Sequence, residues 1–126
     1  MEIKRVAETP ERLREAMEDA NKKQVDLARE TGLDKGAISS YLSGKYEPKA
    51  KAIGLMARAL GVSEMWLWGD DVEKKRSVSQ KENDEIVDLV TYFQSNPEFR
   101  EVVSALRDMP EEEYNGFKML ILSRRK

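Results

Sequence analysis

Apolar residues recur along this chain at spacings of three and four, the period of one face of an α-helix. Leu13, Ala16, Met17 and Ala20 make the first stripe. Thr9-Pro10 stands ahead of it, where Thr can cap a helix and Pro suits the first turn. Asn21 tolerates a left-handed backbone and ends the stripe. A second helix is predicted over 24–31, with Val25, Leu27 and Ala28 as its apolar positions and Gly32 after it. Asp34 is a good N-cap for a third helix through Ser43, whose inner face is Ala37, Ile38, Tyr41 and Leu42. Gly44 stops it, and 45–49 reads as a loop. A fourth helix carries Ile53, Met56, Ala57 and Leu60 up to Gly61. Ser63 caps a short fifth helix, Glu64 to Trp68, closed by Gly69. Five helices joined by short turns predict a compact all-α domain over 1–69.

Residues 70–81, DDVEKKRSVSQK, are polar and lack apolar periodicity, which predicts a linker. Three further stripes follow: Ile86, Leu89, Val90 and Phe93; Phe99, Val102, Val103 and Leu106; Tyr114, Phe117, Leu120 and Ile121. Asn96-Pro97 and Met109-Pro110 mark the starts of the second and third of these helices. The fold expected is all-α throughout: a five-helix domain, a short linker and a small three-helix module over 82–126.

Composition narrows the chemistry. There is no Cys and no His, which removes disulfides, thiolate nucleophiles, zinc fingers and imidazole bases. No metal loop and no Gly-rich phosphate loop is present, so neither a metal, a cofactor nor an enzyme is expected. No apolar run approaches the roughly 20 residues of a membrane helix. The opening MEIKRVAETP lacks the apolar core of a signal peptide, and a cytoplasmic location is expected. Net charge is −2, which does not by itself advertise nucleic-acid binding. The local balance differs: 22–51 holds seven basic and four acidic residues, whereas 70–126 holds ten and thirteen. One basic patch and one acidic remainder are therefore expected.

The run from Gln24 to Ser43 has the spacing of a helix-turn-helix. Ala28 falls where two helices would cross, and Gly32 falls in a turn that wants a positive φ. Leu27, Leu33, Ile38 and Tyr41 point inward. The longer stretch QVDLARETGLDKGAISSYLSGKYEPKAKAIGLMARALGVSEMWLWG resembles the DNA-binding domain of lambda-type phage repressors, and especially Xre-like repressors of prophages and mobile elements. The resemblance covers roughly residues 9–70 and implies a lambda-repressor-like domain bound to operator DNA.

That resemblance implies that the third helix enters the major groove with its N-terminal residues on base edges. By position the base-reading candidates are Lys35, Gly36, Ser39 and Ser40, with Asp34 better explained as a cap. Lys35 can donate to guanine, and a serine can donate or accept. The plainer reading leaves the two serines solvated and Gly36 merely tolerated. Gln24 and Lys23 at the start of the second helix, and Lys45, Tyr46, Lys49 and Lys51 after the third, are the phosphate-binding candidates. Two departures from the family pattern stand out. Lys23 replaces the usual Ser or Thr cap, at a cost of roughly 1 kcal/mol, and Lys22 replaces an apolar residue. Either lysine could contact phosphate instead. Trp66 is expected in the core, and Trp68 is expected either to be partly exposed or to cover the join to the linker.

About 45 residues lie near the lower limit for independent folding. A dimerisation role is therefore expected for 82–126, through Phe93, Phe99, Val103, Leu106, Tyr114, Phe117, Leu120 and Ile121. Two-fold proteins read palindromic half-sites, which gives that role a purpose. The alternatives are that these helices fold back onto the first domain, or bind a different protein as in an antitoxin-type regulator. The region is too short for the self-cleaving protease domain of large phage repressors. Relief of repression is expected to need an antirepressor or a separate protease, with 70–81 as the natural cut site.

Overall fold

A computed structural model describes residues 2–125. It contains α1 (Thr9–Asp19), α2 (Gln24–Thr31), α3 (Lys35–Ser43), α4 (Ala50–Leu60), α5 (Glu64–Trp68), α6 (Val78–Ser95), α7 (Pro97–Arg107) and α8 (Glu111–Ser123). No strand forms among the described residues, only two isolated antiparallel bridges, Arg5 with Asp70 and Val62 with Lys75. The chain divides into two units, Met1–Asp84 and Glu85–Lys126.

The centre of the first unit is shared out evenly. Leu13, Leu27, Ile38, Met56 and Leu67 are the largest wholly buried apolar side chains, and each comes from a different one of α1 to α5. Ala16, Met17, Ile53, Ala57, Leu60 and Trp66 close round them, so Trp66 is core as expected. Val25, read as an apolar position of α2, lies outside and is exposed. One residue from Val25 to the next along α2 turns about 100°, and Leu27 and Ala28 already fill the inward arc.

The helix ends show where local rules give way to tertiary ones. Thr9 does not cap α1: Glu8 holds that place, and Thr9 is wholly buried with its hydroxyl donating to the Trp68 carbonyl at 3.0 Å. Asp34 and Ser63 do hold the N-cap places of α3 and α5, in extended backbone, but neither side chain bonds its helix. Asn21 ends α1 with φ 54°, while Lys22 N–H donates to Met17 O and Asn21 N–H to Glu18 O, a Schellman ending.

The stretch 70–81, expected as a linker and a cut site, is a strap bound to the first unit. Asp71 N–H donates to Lys4 O at 2.9 Å, and Ser63 N–H donates to Lys74 O at 2.8 Å. Lys74 pairs with Glu15 and Asp19 on α1, and its ammonium lies 5.1 Å over the Trp66 ring. The hydrogen bonds it donates to Asp19 and Glu15 hold its pKa above the ordinary lysine value. Arg76 is buried, donating to Val62 O, Glu64 and Asp84 at 2.6 to 2.9 Å. Burial opposes its charge, but the two carboxylates outweigh that and its pKa rises. Polar residues without a period look like a free connector in sequence; here they find partners far away along the chain. Residues 78–81 are already helix. Ser77 and Gln80 form a reciprocal capping box, Ser77 N–H to Gln80 Oε1 at 2.8 Å and Gln80 N–H to Ser77 Oγ at 3.1 Å.

The second unit has a different character. Phe99 meets Tyr92 and Phe93 edge to face, at ring-centroid distances of 5.0 and 6.3 Å. Phe93, Phe99, Val103 and Leu106 are half-buried there. Yet no residue from 85 to 125 is buried, and these residues hold twelve of the eighteen exposed large apolar side chains.

Candidate nucleic-acid interface

The α2–turn–α3 segment is locked by its own chemistry. Gly32 takes φ 75°, which a residue with a Cβ adopts only with strain. The Thr31 hydroxyl donates to Leu27 O at 2.6 Å and accepts Leu33 N–H at 3.1 Å, fixing the chain as it leaves α2. Asp34 O then accepts Ile38 N–H at 3.1 Å, opening α3. Leu27 and Ile38 are wholly buried, with Ala28, Leu33 and Tyr41 packed round them.

This packing decides which face of α3 is free. A turn of about 100° per residue groups Lys35, Gly36, Ser39 and Ser40 within an arc of about 140°, opposite Ile38 and Tyr41. Lys35, Gly36 and Ser39 are exposed, and Ser40 is half-buried. The side chain of Lys35 makes no ion pair or hydrogen bond among the described residues, and neither do those of Lys49 and Lys51, both exposed. No carboxylate needs displacing before these ammonium groups meet an anion.

The remaining candidates fall into separate places. Gln24 is half-buried at the first position of α2. It shares a cavity of about 770 Å³ with Lys23, Ser39, Ser43, Arg14 and Glu18, so the start of α2 and the outer side of α3 meet there. Lys45 lies 5.4 Å over the Tyr46 ring, and the N–H groups of both return to Ser40 O. Tyr46 is 60% exposed, a large ring left outside on the turn that follows α3. Lys49 lines a different hollow of about 760 Å³, beside Glu64, Met65 and Trp68. The structure thus joins Gln24, Lys23 and Ser39, and sets Lys49 apart from them.

The two departures at 22 and 23 resolve differently. Lys22 donates to Glu30 and to Ala59 O, both at 2.7 Å, tying α2 to α4 instead of reaching outward. Lys23 stays exposed at the N-cap. Its side chain has no acceptor, and half of the missing cap is supplied from the other direction: the Asp26 carboxylate accepts Lys23 N–H at 2.9 Å. That backbone hydrogen bond, helped by Arg29, holds the Asp26 carboxyl below its ordinary pKa against some desolvation. Sequence reasoning missed Arg14. It is exposed on α1, lines the cavity with Gln24 and Ser39, and donates to Leu42 O at 3.1 Å at the end of α3. Periodicity puts Arg14 on the outer face of α1, but no local signal says which helix end it reaches.

Residues 13–67 match the family model described as helix-turn-helix, HTH_3. The first unit carries a helix-turn-helix domain of the Xre and lambda-repressor-like kind. The helix-turn-helix protein is accordingly a DNA-binding transcription regulator. No curated protein matches its sequence. No helix among the described residues is long and apolar enough to cross a membrane. Within the helix-turn-helix domain the matched residues contain every wholly buried side chain of the shared centre. They end before the 70–77 strap, so Arg76 and Asp84 lie beyond the matched segment, while Val62 and Glu64, which Arg76 holds from there, lie within it.

Proposed function

We propose that this protein is a sequence-specific repressor, of the phage or mobile-element type, that reads a palindromic operator as a dimer with α3 in the major groove. The observation that carries the reading is the outer face of α3: Lys35, Gly36 and Ser39 stand exposed and unpaired on a helix whose opposite face is locked in the core. Lys35, Ser39 and Ser40 then read base edges, and Gly36 lets the helix backbone approach them. Gln24, Lys23, Lys45, Tyr46, Lys49 and Lys51 hold the phosphates on either side. Dimerisation through residues 85–125 supplies the second half-site, supported by the apolar faces left uncovered there. The phage-type assignment rests on the resemblance of roughly residues 9–70 to those repressors.

Footprinting on the DNA upstream of its own gene tests the reading. Protection of two half-sites related by a dyad, about 34 Å apart, is the expected result. Uniform binding with no protected site would refute it. The uncovered faces also support a second reading, in which they bind a different protein, as in an antitoxin-type regulator. A native mass for the purified complex that exceeds one chain by something other than a second copy would favour that reading.

A further inference from the structure

We infer that α8 is the pairing element of the second unit, and that two copies meet through it in antiparallel register, Glu113 of each against Arg124 of the other. The inference rests on the reading of residues 85–125 as a self-association module, and it specifies the face and the direction.

Three features of α8 lead there. The first is its surface. Tyr114, Phe117, Leu120 and Ile121 are all 40–58% exposed, and they fall within an arc of about 120° on the helix. A continuous apolar stripe of this kind on a short helix needs a cover. The second is its charge. The first turn carries Glu111, Glu112 and Glu113, and the last helical residue is followed by Arg124 and Arg125. On the helical wheel Glu113 and Arg124 lie at the two ends of the apolar stripe itself. A parallel pair would set glutamate beside glutamate and arginine beside arginine. An antiparallel pair sets each against its opposite, twice by symmetry.

The third feature is Gly116. Glycine inside an exposed helix is less favourable than alanine, and a Cβ added here would meet nothing within 4 Å. Nothing among the described residues therefore requires it. In the register that joins Glu113 to Arg124, Phe117 faces Leu120 of the second copy and Gly116 faces its Ile121. A missing side chain at that level lets the two backbones come close.

The same charges also suit the helix's own dipole, acidic at the start and basic at the end. The test must separate the two roles. Glu113→Arg and Arg124→Glu variants of the full chain are compared with the unaltered protein by sedimentation, with helicity followed by circular dichroism. Each variant alone is expected to dimerise about tenfold or more weakly. An equimolar mixture is expected to regain the native association, and so is the chain carrying both changes. If the unaltered protein is monomeric at tens of micromolar, the self-association reading itself fails. If it dimerises and both variants dimerise equally well, that reading stands and the α8 pairing is overturned. Weakened variants that mixing and the double change do not rescue also overturn the pairing, because the charges then serve each helix alone.

Discussion

At the scale of single residues, function and architecture separate cleanly. Lys35 makes no side-chain ion pair or hydrogen bond among the described residues and stands on the exposed face of α3. Lys35→Ala is expected to cost roughly 1–3 kcal/mol in operator binding and to relax preference at one base position, as read by competition with single-base operator variants. Lys49→Ala should weaken all sequences alike and lower the slope of log K against log salt by about one. Gly69 is constrained by shape alone. It holds φ 123°, its carbonyl accepts Val6 and Ala7 N–H, and an added Cβ would collide with the Ala7 carbonyl oxygen. Gly69→Ala should destabilise the first unit by about 2–3 kcal/mol in urea unfolding while leaving base preference intact. Asp26 gives a pH signature. Its folded pKa is depressed, so its contribution is present above the unfolded value and is lost as pH falls through the folded one. Asp26→Asn should flatten the acid side of the stability curve below about pH 4, measured by thermal melting across pH. Lys35 and Ser39 were legible because helical period alone places them outward. Thr9 was not, because its hydroxyl answers to Trp68, 59 residues away in the chain.

At the scale of elements, α1 to α5 follow from apolar spacing and from the glycines that end them. The strap does not, because its order comes from long-range polar bonds that leave no period. The Ser77-x-x-Gln80 capping box was the one local sign that α6 starts early. Arg76 is the hinge-pin of that region. Arg76→Ala would leave Glu64 and Asp84 facing one another without their shared cation. Since both carboxylates keep some contact with water, the expected loss is about 2 kcal/mol, below the roughly 3–5 kcal/mol of a fully buried broken pair. The check is a lower urea midpoint, together with new trypsin cleavage at Lys74 or Lys75, sites that the intact strap should protect.

At the scale of the whole molecule, two units of unlike economy share one chain. The first has a buried apolar centre; the second has stripes and, among its described residues, none that is buried. The three C-terminal helices were legible from their periodicity. What covers them was not, because a stripe announces a face and says nothing of its occupant. If that occupant is a second copy, a chain truncated after Asp84 should keep its fold and sediment as a monomer. Its operator affinity should fall by about 10²-fold or more, measured by fluorescence anisotropy, because the second half-site no longer binds within one molecule.

The even sharing of the first unit's centre has a consequence for how the protein can fail. Five helices each lend one side chain to a single knot, so none can loosen without untying the rest. α3 cannot melt quietly while its neighbours stand. Heat or denaturant should therefore silence DNA binding at one threshold, with α3 and its scaffold lost in the same step.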